Sequence, residues 1–400
     1  MGEECLYCSL LPSVSLSYIF GDLYFEPCQC RPQSNNKAKL MRICFLFAQS
    51  IFVGHFILLA IQLFPTDNKT IGCSATHKLT EKQSMPFVRS LLMSNAFYSA
   101  AVHYAVKKQK IMLNLKLSSY AGEREKLLSF QKVVHLCVGS AFFVVATIMT
   151  ITISVWSSVK IEEVSGYWRS VICSVFLNIC VIYECAIILV LFATACVLCF
   201  AVKERFDAIS FDLQFAKVDW NKRKIDNLIA KHAELCDFID YLNDKISEIL
   251  LFLYGVAITI VSICFYSILF RVLNSKLHIM MIAITILSSV SLCIISFAVS
   301  RVAASAYDSF QEIRRLGACS RRLQDKLKML NFMKKFREEE IGLDCGGCFI
   351  MSKECPVQVF QSLYGIFDML LQIRDILAGN TDKCSISSYN VTTTESSFTP

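Results

Sequence analysis

The chain has 400 residues, of which 54% are hydrophobic and 18% are charged, and its mean hydropathy is +0.50. A water-soluble domain carries about 25% charged residues, so this composition excludes a chain built only of water-soluble cores and favours a membrane protein. The net charge is +7, and the basic residues fall mainly between the apolar stretches.

Apolar runs long enough to cross a membrane recur along the whole chain. A membrane helix needs roughly 17 to 25 predominantly apolar residues. The runs that meet this need, the second when it is extended back to Pro86, are 43–64, 91–106, 133–159, 170–202, 249–270, 277–300 and 356–373. The sequence therefore predicts an all-α membrane protein with seven transmembrane helices.

The loops between these runs predict the orientation of the helices. Lys and Arg in short flanking segments stay on the cytoplasmic side, and an intracellular N-terminus puts most of the basic residues inside. The two N-x-S/T sequons, at Asn68 and Asn390, then lie outside, where glycosylation takes place. We expect an intracellular N-terminus, an extracellular C-terminus and glycosylation at both asparagines.

This topology divides the chain into five segments. They are a cytoplasmic N-terminal segment (1–40), helices one to six with a ligand-binding bundle and cytoplasmic extensions (41–300), a cytoplasmic helical segment (301–355), the seventh helix (356–373) and an extracellular tail (374–400). The fourth run would be about 50 Å long as a helix, whereas the hydrocarbon core is about 30 Å thick, so it projects from the membrane.

An amphipathic helix is predicted just before the fifth run. Apolar residues follow one helical face at Ile225, Leu228, Ile229, His232, Leu235, Ile239, Leu242 and Ile246. The basic segment after the sixth run has two interpretations, a nucleic-acid surface or a positive-inside surface close to lipid. The second interpretation explains it better, so we expect contact with membrane lipid and no nucleic-acid partner.

The chain contains 20 cysteines, most of them inside the apolar runs or in cytoplasmic segments, where thiols stay reduced. Cys73 and Cys384 fall outside and can form one disulfide between the first loop and the tail. The Cys-x-x-Cys pairs at 5–8 and 345–348 lack the fixed ligand spacing and the nearby histidine of a zinc site. We therefore expect no metal and no cofactor.

Motifs of catalysis are missing from the sequence. His55, His103 and His135 are dispersed over three predicted helices, without the context of a metalloprotease or a nucleophile elbow, and no glycine-rich phosphate loop is present. The sequence therefore predicts a protein that is not an enzyme.

Polar and aromatic residues lie in the predicted outer halves of the first six helices. Such sets line small-molecule pockets. A carboxylate in the middle of a span, such as Glu184, needs a partner or a watery cavity, and a structural hydrogen bond to a neighbouring helix explains it equally well. The candidate ligand-binding residues are His55, Asn95, Trp156, Asn178, Tyr183, Glu184 and Tyr266.

The seventh run carries a narrow polar stripe. At about 100° per residue its members fall within about 80° of one another on the helix. The stripe is either a hydrogen-bonding face buried within one subunit or the wall of a pore, in which an acidic ring favours cations. Its members are Gln358, Gln361, Gly365, Asp368 and Gln372.

Three features of the sequence together point to a known family. They are the helical organisation of the whole chain, LIAKHAELCDFIDYLNDKISEILLF before the fifth run, and the spacing of Phe349, Lys353 and Gln372. In these features the chain resembles the arthropod gustatory receptors of the insect chemoreceptor superfamily. The family's final motif, Thr-Tyr, five apolar residues, Gln-Phe, reads Gly365, Ile366, Gln372 and Ile373 here.

This resemblance implies a receptor in the plasma membrane that acts as a ligand-gated, non-selective cation channel for small-molecule tastants. It further implies a homo- or hetero-tetramer with related receptors, in which the seventh helices line the pore and cytoplasmic helices form the subunit contacts. Two other functions remain as alternatives. A G-protein-coupled receptor requires a cytosolic C-terminus, and a transporter is expected to have internal repeats and broken helices.

Overall fold

The computed structural model describes eight stretches of the chain, together with isolated residues of 93–104 and 323–334 and two short strands within 110–117. The stretches are 4–19, 24–26, 35–63, 121–157, 164–216, 222–270, 275–319 and 342–389. Helices dominate them. In chain order they are α1 (Leu6–Ser9), α2 (Leu11–Ile19), α3 (Asn35–Leu63), α4 (Ala121–Ser157), α5 (Val164–Ala216), α6 (Lys222–Phe270), α7 (Ser275–Cys319) and α8 (Cys355–Tyr389).

Among the described residues, short strands form three two-stranded pairs. β1 (Glu4–Cys5) pairs antiparallel with β4 (Lys116–Leu117), and β2 (Tyr24–Glu26) pairs parallel with β3 (Lys110–Met112). β5 (Leu343–Asp344) pairs antiparallel with β6 (Ile350–Met351), with Leu343 opposite Met351. This last pair forms a hairpin just before α8. The hairpin therefore positions the start of α8.

Four helices in the described part of the chain are long and apolar enough to cross a membrane. Each contains an apolar segment of at least 18 residues within the described stretch Glu125–Val144, Val175–Ala216, Arg223–Phe270 or His278–Leu316. A shorter apolar stretch, Leu46–Ile57, lies in α3. The second predicted run lies mostly outside the described residues, so the count of seven stays a prediction.

The helices α5, α6 and α7 are far longer than a bilayer requires. They contain 53, 49 and 45 residues. At 1.5 Å per residue each is longer than about 65 Å, about twice the thickness of the hydrocarbon core. Each helix therefore projects into water at one end or both.

A continuous core connects these three helices. Phe206, Ile239 and Leu250 are among its largest fully buried side chains, and Leu292 and Leu316 of α7 complete it. Where the helices project into water, burial of each such side chain contributes about 1.5–3 kcal/mol. Inside lipid this driving force is absent, and close packing and hydrogen bonds hold the helices together.

The N-terminal helices belong to the same core. Leu6, Leu10 and Val14 are buried in it, and α2 contacts α5. Gln131 of α4 donates a hydrogen bond from Nε2 to the hydroxyl of Ser13, 2.7 Å away. Within the predicted cytoplasmic N-terminal segment, α1 and α2 are thus packed against the bundle.

The outer faces of α3 and α4 carry large apolar side chains. Leu46, Val53 and Ile57 are exposed on α3, and Leu136 and Phe143 are exposed on α4. A water-soluble monomer rarely exposes contiguous apolar surface of this kind. These faces are suited to contact with lipid.

Several predicted features lie outside the described residues. They are both sequons, Asn68 and Asn390, and Cys73. Cys384 lies in α8, where its backbone alone is described. Glycosylation and the disulfide between Cys73 and Cys384 therefore stay predictions, and α8 continues to Tyr389 rather than ending near Ile373.

Candidate pore helix and ligand-binding residues

One face of α8 packs against its own bundle. Val359, Leu363 and Leu370 are buried, and α8 contacts both α6 and α7. The ring of Phe367 lies 5.1 Å from that of Phe265 on α6, measured between centroids. These residues recur every three to four positions, so they attach the helix along a single narrow stripe.

The predicted polar stripe lies on the other side of α8. Gln358, Gln361, Gly365 and Gln372 are exposed, and Asp368 is half-buried. At 100° per residue the centre of this stripe is about 180° from the centre of the packed face. Among the described residues, the stripe thus faces away from α6 and α7, the helices that α8 contacts. A pore wall and a face buried within one subunit stay the two interpretations of it.

Asp368 and Gln372 are paired within this stripe. Gln372 donates a hydrogen bond from Nε2 to Oδ2 of Asp368 across 2.8 Å, one helical turn away. The bond holds the carboxylate close to the helix surface and leaves its second oxygen to interact with solvent or a cation.

Two of the candidate ligand-binding residues meet inside the bundle. Nδ1 of His55 on α3 lies 2.6 Å from Oε1 of Glu184 on α5, and both side chains are completely buried. Within the described part of the chain, Nε2 of His55 has no hydrogen-bond partner. The mid-span carboxylate therefore has the partner that its position in the membrane requires.

Aromatic packing also brings α3 and α5 together, at residues next to this pair in the sequence. The rings of Phe47 and Tyr183 meet edge to face, with centroids 5.9 Å apart. A Cβ atom at Gly54 would come within 2.7 Å of the Phe176 ring, so only glycine admits the ring at this position without a shift. Tyr183 thus belongs to the interface between α3 and α5.

The remaining candidates are distributed over other helices. Tyr266 stacks on Phe270 of the same helix, with centroids 4.6 Å apart. Asn178 is half-buried on α5, and its Oδ1 atom has no hydrogen-bond partner among the described residues. Asn95 lies outside the described residues, and Trp156 lies in α4, where its backbone alone is described.

Sequence analysis missed a polar contact that holds the hairpin. Asn243 of α6 donates from Nδ2 to the carbonyl oxygen of Gly342 and accepts at Oδ1 from the backbone N–H of Asp344, both across 2.9 Å. The paired glycines Gly346 and Gly347 were the available signal, since such pairs favour tight hairpin turns. Nothing in the sequence pattern connects Asn243 with that turn.

The cysteine pair of the hairpin has two different environments. Cys345 is completely buried, whereas Cys348 is exposed. Burial, and then the nearby Cys348 and Asp344, raise the pKa of the Cys345 thiol to about 12, so this thiol stays protonated and packs as a small apolar group. Among the described residues, no group of three His, Cys, Asp or Glu side chains is placed to hold a metal ion.

A buried histidine joins the three long helices outside the predicted spans. His232 of α6 meets the ring of Phe206 on α5 at 5.4 Å and hydrogen-bonds to the backbone of Ala306 on α7. Burial lowers its pKa to about 4, although the bond to Ala306 opposes this shift. The imidazole is therefore neutral at physiological pH.

Solved structures resemble this chain over almost its whole length, and two of them are of one receptor. The insect olfactory receptor OR5 from Machilis hrabei aligns with a TM-score of 0.63 and 11% identity, covering 92% of this chain and 98% of that chain. This chain has the fold of an insect olfactory receptor. The same receptor in complex with eugenol aligns with a TM-score of 0.58 and 9% identity, with the same coverage of both chains. No protein-family model and no curated protein matches the sequence.

The olfactory-receptor fold agrees with the all-α membrane architecture that hydropathy predicts. The structural neighbour is a receptor, and one of its two structures is a complex with the small molecule eugenol. The gustatory assignment, the seven spans and their orientation stay predictions.

Proposed function

We propose that this chain is a subunit of a ligand-gated, non-selective cation channel that serves as a chemosensory receptor of the gustatory type. One observation carries the proposal. In a chain with an insect olfactory-receptor fold, the last apolar helix turns its polar stripe away from α6 and α7. A face of this kind requires water or another subunit, because a carboxylate facing lipid costs several kcal/mol.

The channel forms when several copies, four by the family resemblance, bring their α8 helices around a common axis. The proposal includes seven spans, an intracellular N-terminus and an extracellular C-terminus. With this topology, α8 runs from the inside of the membrane to the outside. Asp368 lies about 18 Å from Pro356 along the helix, in the outer half of the predicted span 356–373. A ring of these carboxylates concentrates cations at the outer mouth and disfavours anions.

The ligand is a small-molecule tastant that binds between the outer halves of the other helices. Tyr183, Tyr266 and Asn178 provide aromatic and amide groups for such a pocket, and Asn95 and Trp156 belong to the same predicted set. The pair His55 and Glu184 supports the pocket at the interface between α3 and α5, so a change there alters ligand potency through the positions of both helices.

Electrical recording tests the proposal directly. Cells that express the chain, alone or with a related receptor, are exposed to a panel of small molecules that begins with eugenol, the ligand of the structural neighbour. The proposal expects a ligand-dependent current that reverses near 0 mV in mixed cations. A chain that reaches the surface under both conditions but conducts no current across the panel contradicts it.

A further inference from the structure

The hairpin formed by residues 342–351 is closed by its own hydrogen bonds. Cys348 donates from its backbone N–H to the carbonyl of Cys345, and Cys345 donates to the carbonyl of Phe349, each across 3.0 Å. Gly346 and Gly347 occupy the turn with φ of +61° and +73°, values that residues with a Cβ atom rarely adopt. These bonds hold the turn and its two strands together as one unit.

Three residues connect this unit to α8. β6 ends at Met351, and α8 begins at Cys355. The first turn of α8 is closed by hydrogen bonds from Val357 and Gln358 to the carbonyl of Glu354. Because the connection is so short, a displacement of the hairpin shifts the start of the proposed pore helix.

The hairpin is packed against α6 and α7. A Cβ atom at Gly346 would lie 2.6 Å from Leu251 of α6, so the turn contacts that helix closely. The ring of Phe349 meets Tyr254 edge to face at 6.2 Å. Lys353 lies over the ring of Tyr307 on α7, 5.8 Å from its centroid. The hairpin thus lies between the two long helices and α8.

An apolar cavity lies beneath the hairpin. It has a volume of about 20 Å³ and is bounded by Leu343 of β5, Ala195 of α5, Ile246 of α6 and Val302 of α7, among other apolar side chains. A space of this size admits one water molecule, but its lining provides no hydrogen-bond partner. The Leu343 side chain can therefore shift into the cavity without meeting a polar group there.

Asn243 provides the polar attachment that opposes such a shift. Its amide forms two hydrogen bonds with the backbone of 342–344, in the manner of a neighbouring strand. Both bonds come from one side chain on α6, so they hold β5 at a defined position along that helix. Contacts of apolar residues around the cavity have no comparable directionality.

We propose that the hairpin transmits movement of α6 and α7 to α8, and that Asn243 is the positioning residue that sets its register. The inference rests on the proposed channel function and assigns the coupling element of that channel. Movement of α6 relative to α7 pulls on the amide of Asn243, the hairpin moves as a unit over the cavity, and the three-residue connection shifts α8. Asn243 contacts neither ligand nor ion in this scheme.

Substitutions of Asn243 separate the two hydrogen bonds. Asn243→Asp keeps an acceptor for the Asp344 N–H but replaces the amide donor with an oxygen that repels the Gly342 carbonyl. Asn243→Ala removes both bonds. Asn227 is exposed on the same helix and serves as the matched control, as Asn227→Asp and Asn227→Ala. The readouts are surface amount, unitary conductance and the concentration–response curve of the activating ligand.

We expect both Asn243 variants to shift the half-maximal ligand concentration or the maximal open probability by about fivefold or more, which corresponds to the loss of one or two hydrogen bonds. Unitary conductance stays unchanged, since the pore lining is intact. The Asn227 variants behave as the wild type. A wild-type concentration–response curve for the Asn243 variants, at normal surface amount, overturns the inference while the channel function stands.

A second variant covers the case in which the Asn243 variants do not reach the surface. Val302→Ile adds one methylene to the cavity wall, keeps the residue apolar and leaves Asn243 in place. We expect it to reduce the maximal open probability or slow activation, because the hairpin loses the space into which it moves. Wild-type gating of Val302→Ile then overturns the inference. A wild-type chain that reaches the surface without conducting overturns the channel function and this inference with it.

Discussion

His55 and Glu184 form a hydrogen-bonded pair in which the nitrogen Nδ1 and the oxygen Oε1 are 2.6 Å apart and both side chains are inaccessible to solvent. The residues are 129 positions apart in the chain and connect α3 with α5. Burial of an isolated polar group inside a membrane bundle costs free energy. The hydrogen bond between the two residues offsets this cost for both of them.

Removing one member of this pair tests its contribution to the fold. Glu184→Ala leaves the imidazole of His55 buried without its partner, at a cost of about 1–3 kcal/mol, so we expect a loss of protein at the cell surface. Glu184→Gln retains an acceptor for His55, and we expect near-normal surface amount with altered ligand potency. Surface biotinylation and concentration–response curves measure the two effects. Unchanged potency across a ligand panel removes Glu184 from the binding site.

The acidic group of the polar stripe is expected to control ion selection. Asp368→Asn should lower the relative permeability to divalent cations about threefold or more, and Asp368→Lys should nearly silence the channel. Gln372→Ala should have a weaker effect in the same direction, because it removes only the hydrogen bond to the carboxylate. Reversal potentials in divalent and monovalent solutions measure these changes.

Asp226→Asn is the matched control for the loss of one negative charge, since Asp226 is exposed near the start of α6, outside the predicted spans. If Asp368→Asn prevents surface delivery, the carboxylate has a structural role and the proposed pore wall fails. Recordings with unaltered conductance and selectivity contradict the proposal equally.

The predicted orientation has a biochemical test at the C-terminus. We expect Asn390→Gln to increase the electrophoretic mobility of the membrane-expressed protein, and Asn68→Gln to do the same, because both sequons face the lumen under this topology. Treatment with an endoglycosidase should abolish the difference. Cleavage of the intact tail by a protease applied only from the cytosolic side would exclude this topology and favour a G-protein-coupled receptor.

The junction of α5, α6 and α7 should weaken in acid because of His232. The pKa of this residue is about 4 in the folded protein and near 6.5 when it is unfolded, so the unfolded state binds more protons between these values. The contribution of His232 to stability is complete above about pH 6.5 and decreases as the pH falls towards 4. Between pH 6.5 and 5 we expect a loss of about 2 kcal/mol.

Thermal unfolding of the detergent-solubilised protein from pH 7 to pH 5 measures this loss. His232→Gln has no titrating side chain and should reduce the pH dependence across this range. An identical pH dependence in the variant would show that other groups cause the acid sensitivity.

The periodicity of the sequence correctly predicted which residues of α6 are buried. Eight residues were assigned to one helical face, and six of them are buried, Ile225, Leu228, His232, Leu235, Ile239 and Leu242. The other two, Ile229 and Ile246, are half-buried. This prediction succeeds because helical geometry repeats every 3.6 residues and the adjacent core selects apolar side chains at that repeat.

The polar stripe of α8 was predictable only in part. Its members share one side of the helix because their spacing fits the helical repeat. This shared side can be read directly from the intervals between the polar residues of the run. The direction of the stripe depends on which side of α8 packs against α6 and α7. Phe367 and Phe265 decide this by contact between two helices far apart in the sequence.

The amino-acid sequence by itself determined that the chain is helical and apolar, where its amphipathic faces lie and which residues share them, because these properties follow from local backbone geometry and from the solvent around each segment. The tertiary structure alone decided that His55 meets Glu184 and that Asn243 holds the hairpin at Gly342 and Asp344. Such contacts depend on how whole helices pack, and many packings satisfy the same hydrophobic pattern, so no local period encodes them.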